Sequence, residues 1–104
     1  MSLGIRGRKI LVVDNDPNVC QLLRTKLSIL GFEILISDNG NDALTIFKTQ
    51  QPDLLIIDIM IPTISGYTLC FEIRKESSVP IIVLTNLSSV LDQIIGFNLG
   101  IDDY

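Results

Sequence analysis

Three sets of side chains in this 104-residue sequence could do chemistry together: Asp14-Asn15-Asp16, the carboxylate Asp58, and Thr85 with Asn86. Carboxylates that converge with no basic residue beside them in sequence repel one another, so such a cluster needs either a cation or a raised pKa to be tolerated. Mg²⁺ is the economical cation, because it prefers oxygen ligands at about 2.1 Å, keeps several waters, and binds through one or two carboxylates plus a phosphoryl oxygen. Asp58 then suits the part of nucleophile. A carboxylate that attacks phosphorus gives an acyl phosphate, the metal offsets charge on the transferred group, and a hydroxyl such as Thr85 contacts another of its oxygens. The sequence has no histidine, which removes the commonest acid–base group, and no Gly-rich phosphate-cradling pattern for a nucleotide.

These residues converge only if the chain places them on one edge, and its hydropathy pattern does so. Ile10 to Val13 is a β-branched run suited to a strand buried on both faces. It ends in Asp14-Asn15-Asp16-Pro17, where Asp16 fits a helix N-cap and Pro17 the first helical position. Val19, Leu22, Leu23, Leu27 and Leu30 recur at helical spacing up to Gly31. Phe32 to Ser37 then reads as a second strand, and Asp38-Asn39-Gly40 as a turn into a helix with Ala43, Leu44, Ile46 and Phe47 inside. Pro52-Asp53 opens a third strand, Leu54 to Asp58. A helix carrying Tyr67, Leu69, Cys70 and Ile73 closes in Arg74-Lys75-Glu76. Pro80 to Thr85 forms a fourth strand, and Ser88 or Ser89 starts a last helix with Leu91, Ile94, Ile95 and Leu99 inside and Gly100 at its end.

Strands alternating with helices predict an α/β fold with a parallel, doubly wound sheet covered on both sides. Right-handed crossovers bring the C-terminal ends of all strands to one edge, where ligands bind in such sheets. That edge collects Asp14, Asn15, Asp16, Asp58, Thr85 and Asn86.

Composition narrows the function. A 47% hydrophobic chain of this length fits one small domain with one core. Its net charge of -4 offers no basic face for a phosphate backbone, so direct nucleic-acid binding is not expected. Apolar runs such as Leu54 to Ile57 are far below the roughly 20 residues of a membrane helix, and no membrane partner is expected. The two cysteines, Cys20 and Cys70, have no metal or redox spacing and sit at apolar helical positions, which predicts core packing in a reduced compartment. Residues Met1 to Arg8 lack apolar periodicity and are expected to be a tag remnant or disordered, leaving 9–104 as the domain.

Taken in order, Val12-Val13-Asp14-Asn15-Asp16, Pro52-Asp53 through Asp58, Met60, Pro62, Gly66, Pro80 to Thr85 and Leu99 to Tyr104 resemble the receiver domain of two-component response regulators. The resemblance spans Lys9 to Tyr104. The wording around Gly66-Tyr67 and Glu72 to Val79 is similar to OmpR-type regulators of cyanobacteria and plastids. It implies a flavodoxin-like sheet of order 2-1-3-4-5, with Asp58 as phosphoacceptor and Asp14 and Asn15 at the paired acidic metal positions. It also implies that Met60 lends a backbone carbonyl to Mg²⁺ and that Thr85 and Tyr104 form the switch pair. The implied partners are a histidine kinase and the protein's own C-terminal output domain, a DNA-binding one in OmpR-type regulators, with a second receiver copy as a further candidate. The module is then a signalling domain of the cytoplasm, or of the plastid stroma if plastid-encoded, and at most catalyses its own phosphorylation and dephosphorylation.

The sequence departs from the family pattern in two places. Asn15 stands where members usually carry a second carboxylate; an amide oxygen can ligate Mg²⁺ but supplies no charge, so weaker metal binding is expected. The family's fifth strand, with a Lys three residues beyond the Tyr104 position, and its final helix are not among these 104 residues. Slow or undetectable phosphorylation of the 104-residue chain is therefore expected. Asn15 also motivates an alternative, a receiver-like interaction module that works without phosphorylation. A metal-dependent phosphohydrolase on a similar sheet would need an acid–base partner that the sequence does not offer.

Overall fold

The computed structural model describes residues 7–84, which form the elements β1 (Lys9–Val13), α1 (Pro17–Ile29), β2 (Glu33–Ser37), α2 (Gly40–Gln50), β3 (Leu54–Asp58), α3 (Gly66–Arg74) and β4 (Ile81–Leu84). All strand pairs are parallel, in the order β2-β1-β3-β4. The expected 2-1-3-4 order is therefore present. The expected fifth strand, the last helix, Thr85, Asn86 and Tyr104 lie outside the described residues.

The sheet divides the core by the period-2 alternation of strand side chains. Leu11, Val13, Leu55, Ile57, Ile81 and Val83 point to the face covered by α2 and α3, where they meet Ala43, Phe47, Leu69, Cys70 and Ile73. Ile10, Val12 and Ile56 point to the other face, onto Cys20, Leu23 and Leu27 of α1. As the inner strand between β2 and β3, β1 needs apolar residues in both directions, which is why Ile10 to Val13 is a continuous run.

Each helix starts where a side chain can take up its free amides. The Asp16 carboxylate accepts from the Asn18 N–H at 2.9 Å with Pro17 in the first turn, Asn39 caps α2 by accepting from Asp42, and Ser65 caps α3 by accepting from Thr68. Past the end of α1, Gly31 turns the chain at φ 103°, a region that favours glycine.

The inner stripe of α1 differs from the expected one. Leu22 and Leu30 are 57% and 56% exposed, and the sheet is met instead by Cys20, Leu23 and Leu27. Positions 20, 23 and 27 fall on one side of a 3.6-residue helix, whereas 22 is turned well away from them and Leu30 is the C-cap residue beyond the last turn. Contacts with the fold also begin ahead of Lys9. The Gly7 N–H donates to Gly31 O at 3.1 Å, Arg8 O accepts from the Glu33 N–H at 2.8 Å, and the Arg8 guanidinium lies 3.6 Å from Asp53.

Both cysteines are free and buried, as core packing required. Burial pushes the Cys70 thiol up to about 11 and also raises Cys20, with the nearby Asp14 charge adding to the latter. Thiolates are the reactive form, so neither should alkylate readily in native protein at pH 8. Cys20 borders an open cavity of about 230 Å³, whereas Cys70 is sealed in the core. Iodoacetamide labelling followed by peptide mass analysis should therefore find Cys20 modified before Cys70, and both rapidly only on unfolding. Faster labelling of Cys70 would contradict this packing.

Candidate functional site

Strand register sets the site. Val13 pairs with Ile57 across β1 and β3, so the next residues, Asp14 and Asp58, stand at the same level on neighbouring strands. Asp58 in turn pairs with Leu84 of β4. The three strand ends open into one cleft of about 460 Å³ bordered by Asp14, Asn15, Asp16, Asp58, Met60 and Leu84. Four of the residues singled out from the sequence, Asp14, Asn15, Asp58 and Met60, are thus brought together. Thr85 and Tyr104 lie outside the described residues.

Asp14 is the most constrained of these groups. It is only 5% exposed, and its carboxylate accepts the Asp16 N–H at 2.9 Å. Burial raises its pKa, the Asp16 amide bond pulls it partly back, and the charges of Asp58 and Asp16 push it up again. The site therefore holds negative charge in a poorly solvated position, which a bound cation would relieve. Behind it, the Cys20 thiol donates to Asp14 O at 3.3 Å, anchoring the strand end to α1.

Asp16 also borders the cleft and its charge reaches Asp14, but it is held in a second role. Its carboxylate is engaged as the cap of α1, while Asn15 beside it is exposed at the cleft and uncharged. Among the described residues, no three His, Cys, Asp or Glu side chains come together as a metal-binding group. Two carboxylates, an amide and backbone oxygens are a hard, sparse donor set. It fits an ion that retains water, such as Mg²⁺, and not a zinc site closed by sulfur and nitrogen.

The loop after β3 presents Asp58. The Met60 N–H donates to its carboxylate at 3.1 Å, and the Met60 side chain is 70% exposed at the mouth of the cleft. Gly66 holds the far end of this loop by donating its N–H to Ile59 O at 2.9 Å. A Cβ on Gly66 would lie 2.6 Å from both Asp58 O and Ile59 Cα, so only glycine lets α3 start this close to the phosphoacceptor candidate. The middle of the loop is tied to α2: Gly40 N–H donates to Pro62 O at 3.1 Å and Asn41 N–H to the Thr63 hydroxyl at 3.1 Å. The sequence marked Gly40 only as part of a turn into a helix and did not single out Thr63, whose surroundings of turn-forming residues say nothing about what the turn touches.

A family model for the response regulator receiver domain matches residues 10–104. The chain belongs to that family. It is 47% identical over 102 residues to the probable transcriptional regulator ycf27 of Cyanophora paradoxa, covering 98% of this chain and 43% of that protein. The ycf27 protein of Porphyra purpurea is 48% identical over 96 residues, with 92% of this chain and 40% of the relative covered. The chain thus spans less than half of these curated relatives. Among solved structures, the BeF3-activated N-terminal receiver domain of Klebsiella pneumoniae RstA superposes with a TM-score of 0.89 at 33% identity, covering 93% of this chain and 83% of that one. A two-component response regulator from Clostridium difficile gives 0.90 at 31% identity, covering 93% and 80%.

This is a receiver domain of a two-component response regulator, a signalling rather than a catalytic family. These relatives are named as probable transcriptional regulators. Among the described residues, no helix is long and apolar enough to cross a membrane.

Proposed function

We propose that this receiver accepts a phosphoryl group on Asp58 from the phosphohistidine of a partner kinase, and that phosphorylation switches an output domain of the same protein. The observation that carries the reading is the placement of Asp58 beside buried Asp14 at the C-terminal ends of adjacent strands. A carboxylate oxygen of Asp58 attacks phosphorus, the phosphorus–nitrogen bond to the donor imidazole breaks, and the imidazole leaves with the electron pair. Mg²⁺, held by Asp14, Asp58, the Asn15 amide and the Met60 carbonyl, would neutralise charge on the transferred group. Asp14 fixes that donor set because its own carboxylate is locked by the Asp16 amide, and the Met60 N–H orients Asp58.

Thr85 and Tyr104 keep the switch roles that the family resemblance implies. The added phosphoryl brings about -1.5 to -2 charge, enough to bias a surface with two states that contact it differently. The activated RstA receiver supports this reading, since beryllium fluoride mimics a phosphoryl group. The ycf27 relatives, named as probable transcriptional regulators, support transcription regulation as the output, with a DNA-binding output domain and a second receiver copy as the partners that the family resemblance implies.

The test is mass analysis of the full-length protein after incubation with Mg²⁺ and acetyl phosphate. We expect the gain of one phosphoryl group, stable in acid and lost in base. No gain would overturn the reading in favour of an interaction module that works without phosphorylation, which uncharged Asn15 and the engaged Asp16 carboxylate motivate. Asn15→Asp tests the metal half. One more unit charge about 4 Å from a divalent ion contributes about 2 kcal/mol even in water, less its own desolvation, so Mg²⁺ affinity should rise about tenfold by calorimetric titration. An unchanged affinity would remove Asn15 from the donor set.

A further inference from the structure

Thr63 is a β-branched residue at φ 73°, where such side chains are rarely found. The Ile64 N–H reaches back to Pro62 O at 3.1 Å, closing a three-residue turn with Thr63 at its centre. A turn of that φ is the uncommon, strained form. Glycine or asparagine would hold it at less cost, so the presence of threonine calls for a compensating contact.

That contact is with α2. The first amides of a helix have no partner within it. Here Asp42 and Ala43 are served by Asn39, while Gly40 and Asn41 are served by the loop, through Pro62 O and the Thr63 hydroxyl. Gly40 has no Cβ, which would overlap the Ile64 side chain, so the loop lies directly on the helix start. The same short loop carries Met60, whose N–H holds the Asp58 carboxylate, and ends at Gly66, whose N–H is fixed to Ile59 O. Its two ends are tied to the end of β3 and the residue after it, and its middle to α2.

We infer that Thr63 is a positioning residue for phosphoryl transfer: its hydroxyl, carried on a strained turn, clamps the Met60 loop onto the first turn of α2 so that Asp58 keeps its reactive orientation. This role rests on Asp58 being the phosphoacceptor. It connects α2 to the site as well, because the start of that helix and the loop share two hydrogen bonds.

Four forms of the full-length protein test it: wild type, Thr63→Ser, Thr63→Val and Thr63→Gly. Valine keeps the branching and loses the hydroxyl, serine keeps the hydroxyl, and glycine loses both the hydroxyl and the strain, so Thr63→Gly should fold even if Thr63→Val does not. Amide exchange at Asn41, followed by NMR, reads the clamp independently of phosphorylation. It should quicken about fivefold in the valine and glycine forms, the factor one hydrogen bond contributes, and stay near wild type in the serine form. The rate of acyl phosphate formation at saturating Mg²⁺ should fall by about the same factor in the glycine form and recover with serine, with the Mg²⁺ dissociation constant little changed. Unchanged exchange at Asn41, or quickened exchange with an unchanged rate, would overturn the positioning role while wild type still labels. A wild type that takes up no phosphoryl group would instead defeat the phosphoacceptor reading, and this role with it.

Discussion

Asp58→Asn is expected to remove phosphoryl uptake by the full-length protein altogether, by about three orders of magnitude or more, equivalent to more than about 4 kcal/mol of barrier. The amide cannot form an acyl phosphate, because its nitrogen lone pair is delocalised and its oxygen carries no charge. Nothing among the cleft residues replaces it: Asp14 is buried with its carboxylate on the Asp16 amide, and Asp16 is capping α1. The fold should survive. Asparagine has the shape of aspartate, and its oxygen can still accept the Met60 N–H that Asp58 accepts at 3.1 Å.

Stability should respond in a defined direction. The Asp58 charge is one cause of the raised Asp14 pKa, so its removal lets Asp14 ionise more easily. A carboxyl whose folded pKa lies above its unfolded value weakens the fold as pH rises through that range, because the unfolded chain then ionises more readily. At neutral pH without divalent ions, Asp58→Asn should therefore melt somewhat above wild type, and added Mg²⁺ should narrow the gap by stabilising wild type more. Mass analysis and thermal melts in EDTA and in Mg²⁺ read both effects. Residual base-labile labelling of the variant would move the phosphoacceptor elsewhere.

Gly66→Ala is the second large effect, and it acts on the fold. The added methyl would meet Asp58 O and Ile59 Cα at 2.6 Å, and both are backbone atoms of β3 and the residue after it, which cannot swing aside. Either α3 moves away from the sheet, opening the layer of Leu69, Cys70 and Ile73, or the end of β3 shifts together with Asp58. Relieving such an overlap costs about 2–4 kcal/mol, a fall in melting temperature of about 10 °C or more for a domain of this size. Gly7→Ala is the informative control. Gly7 has φ 79° but nothing within 4 Å of an added Cβ, so only backbone preference opposes the change, about 1 kcal/mol. Equal losses in the two variants would show that Gly66 is not held by this close approach.

The elements that position the site were legible because short-range rules governed them. Asp16-Pro17 reads as a capped helix start and Asp38-Asn39-Gly40 as a turn into a helix, and α1 and α2 begin there, whereas the Ser65 cap of α3 came from the structure. The burial of β1 on both faces followed from its unbroken Ile-Leu-Val-Val run. The inner face of α1 was less legible. Val19, Leu22, Leu23, Leu27 and Leu30 are all apolar, and hydropathy does not say which of several apolar stripes meets the sheet; contact with β1 and β2 selected Cys20, Leu23 and Leu27.

The sequence by itself determined the order of strands and helices, their polarity, and hence that Asp14, Asn15 and Asp58 would lie on one edge, because every crossover in a parallel sheet returns the chain in the same direction. It also contained the family pattern from which Asp58 is proposed as the phosphoacceptor. Only the tertiary structure decided the partners of these groups: the register that sets Asp14 level with Asp58, the glycine gap at Gly66, and the Thr63 clamp on α2. The Thr63–Asn41 contact joins residues 22 positions apart. Such contacts depend on how rigid elements settle against one another, and no local pattern of residue types encodes that distance.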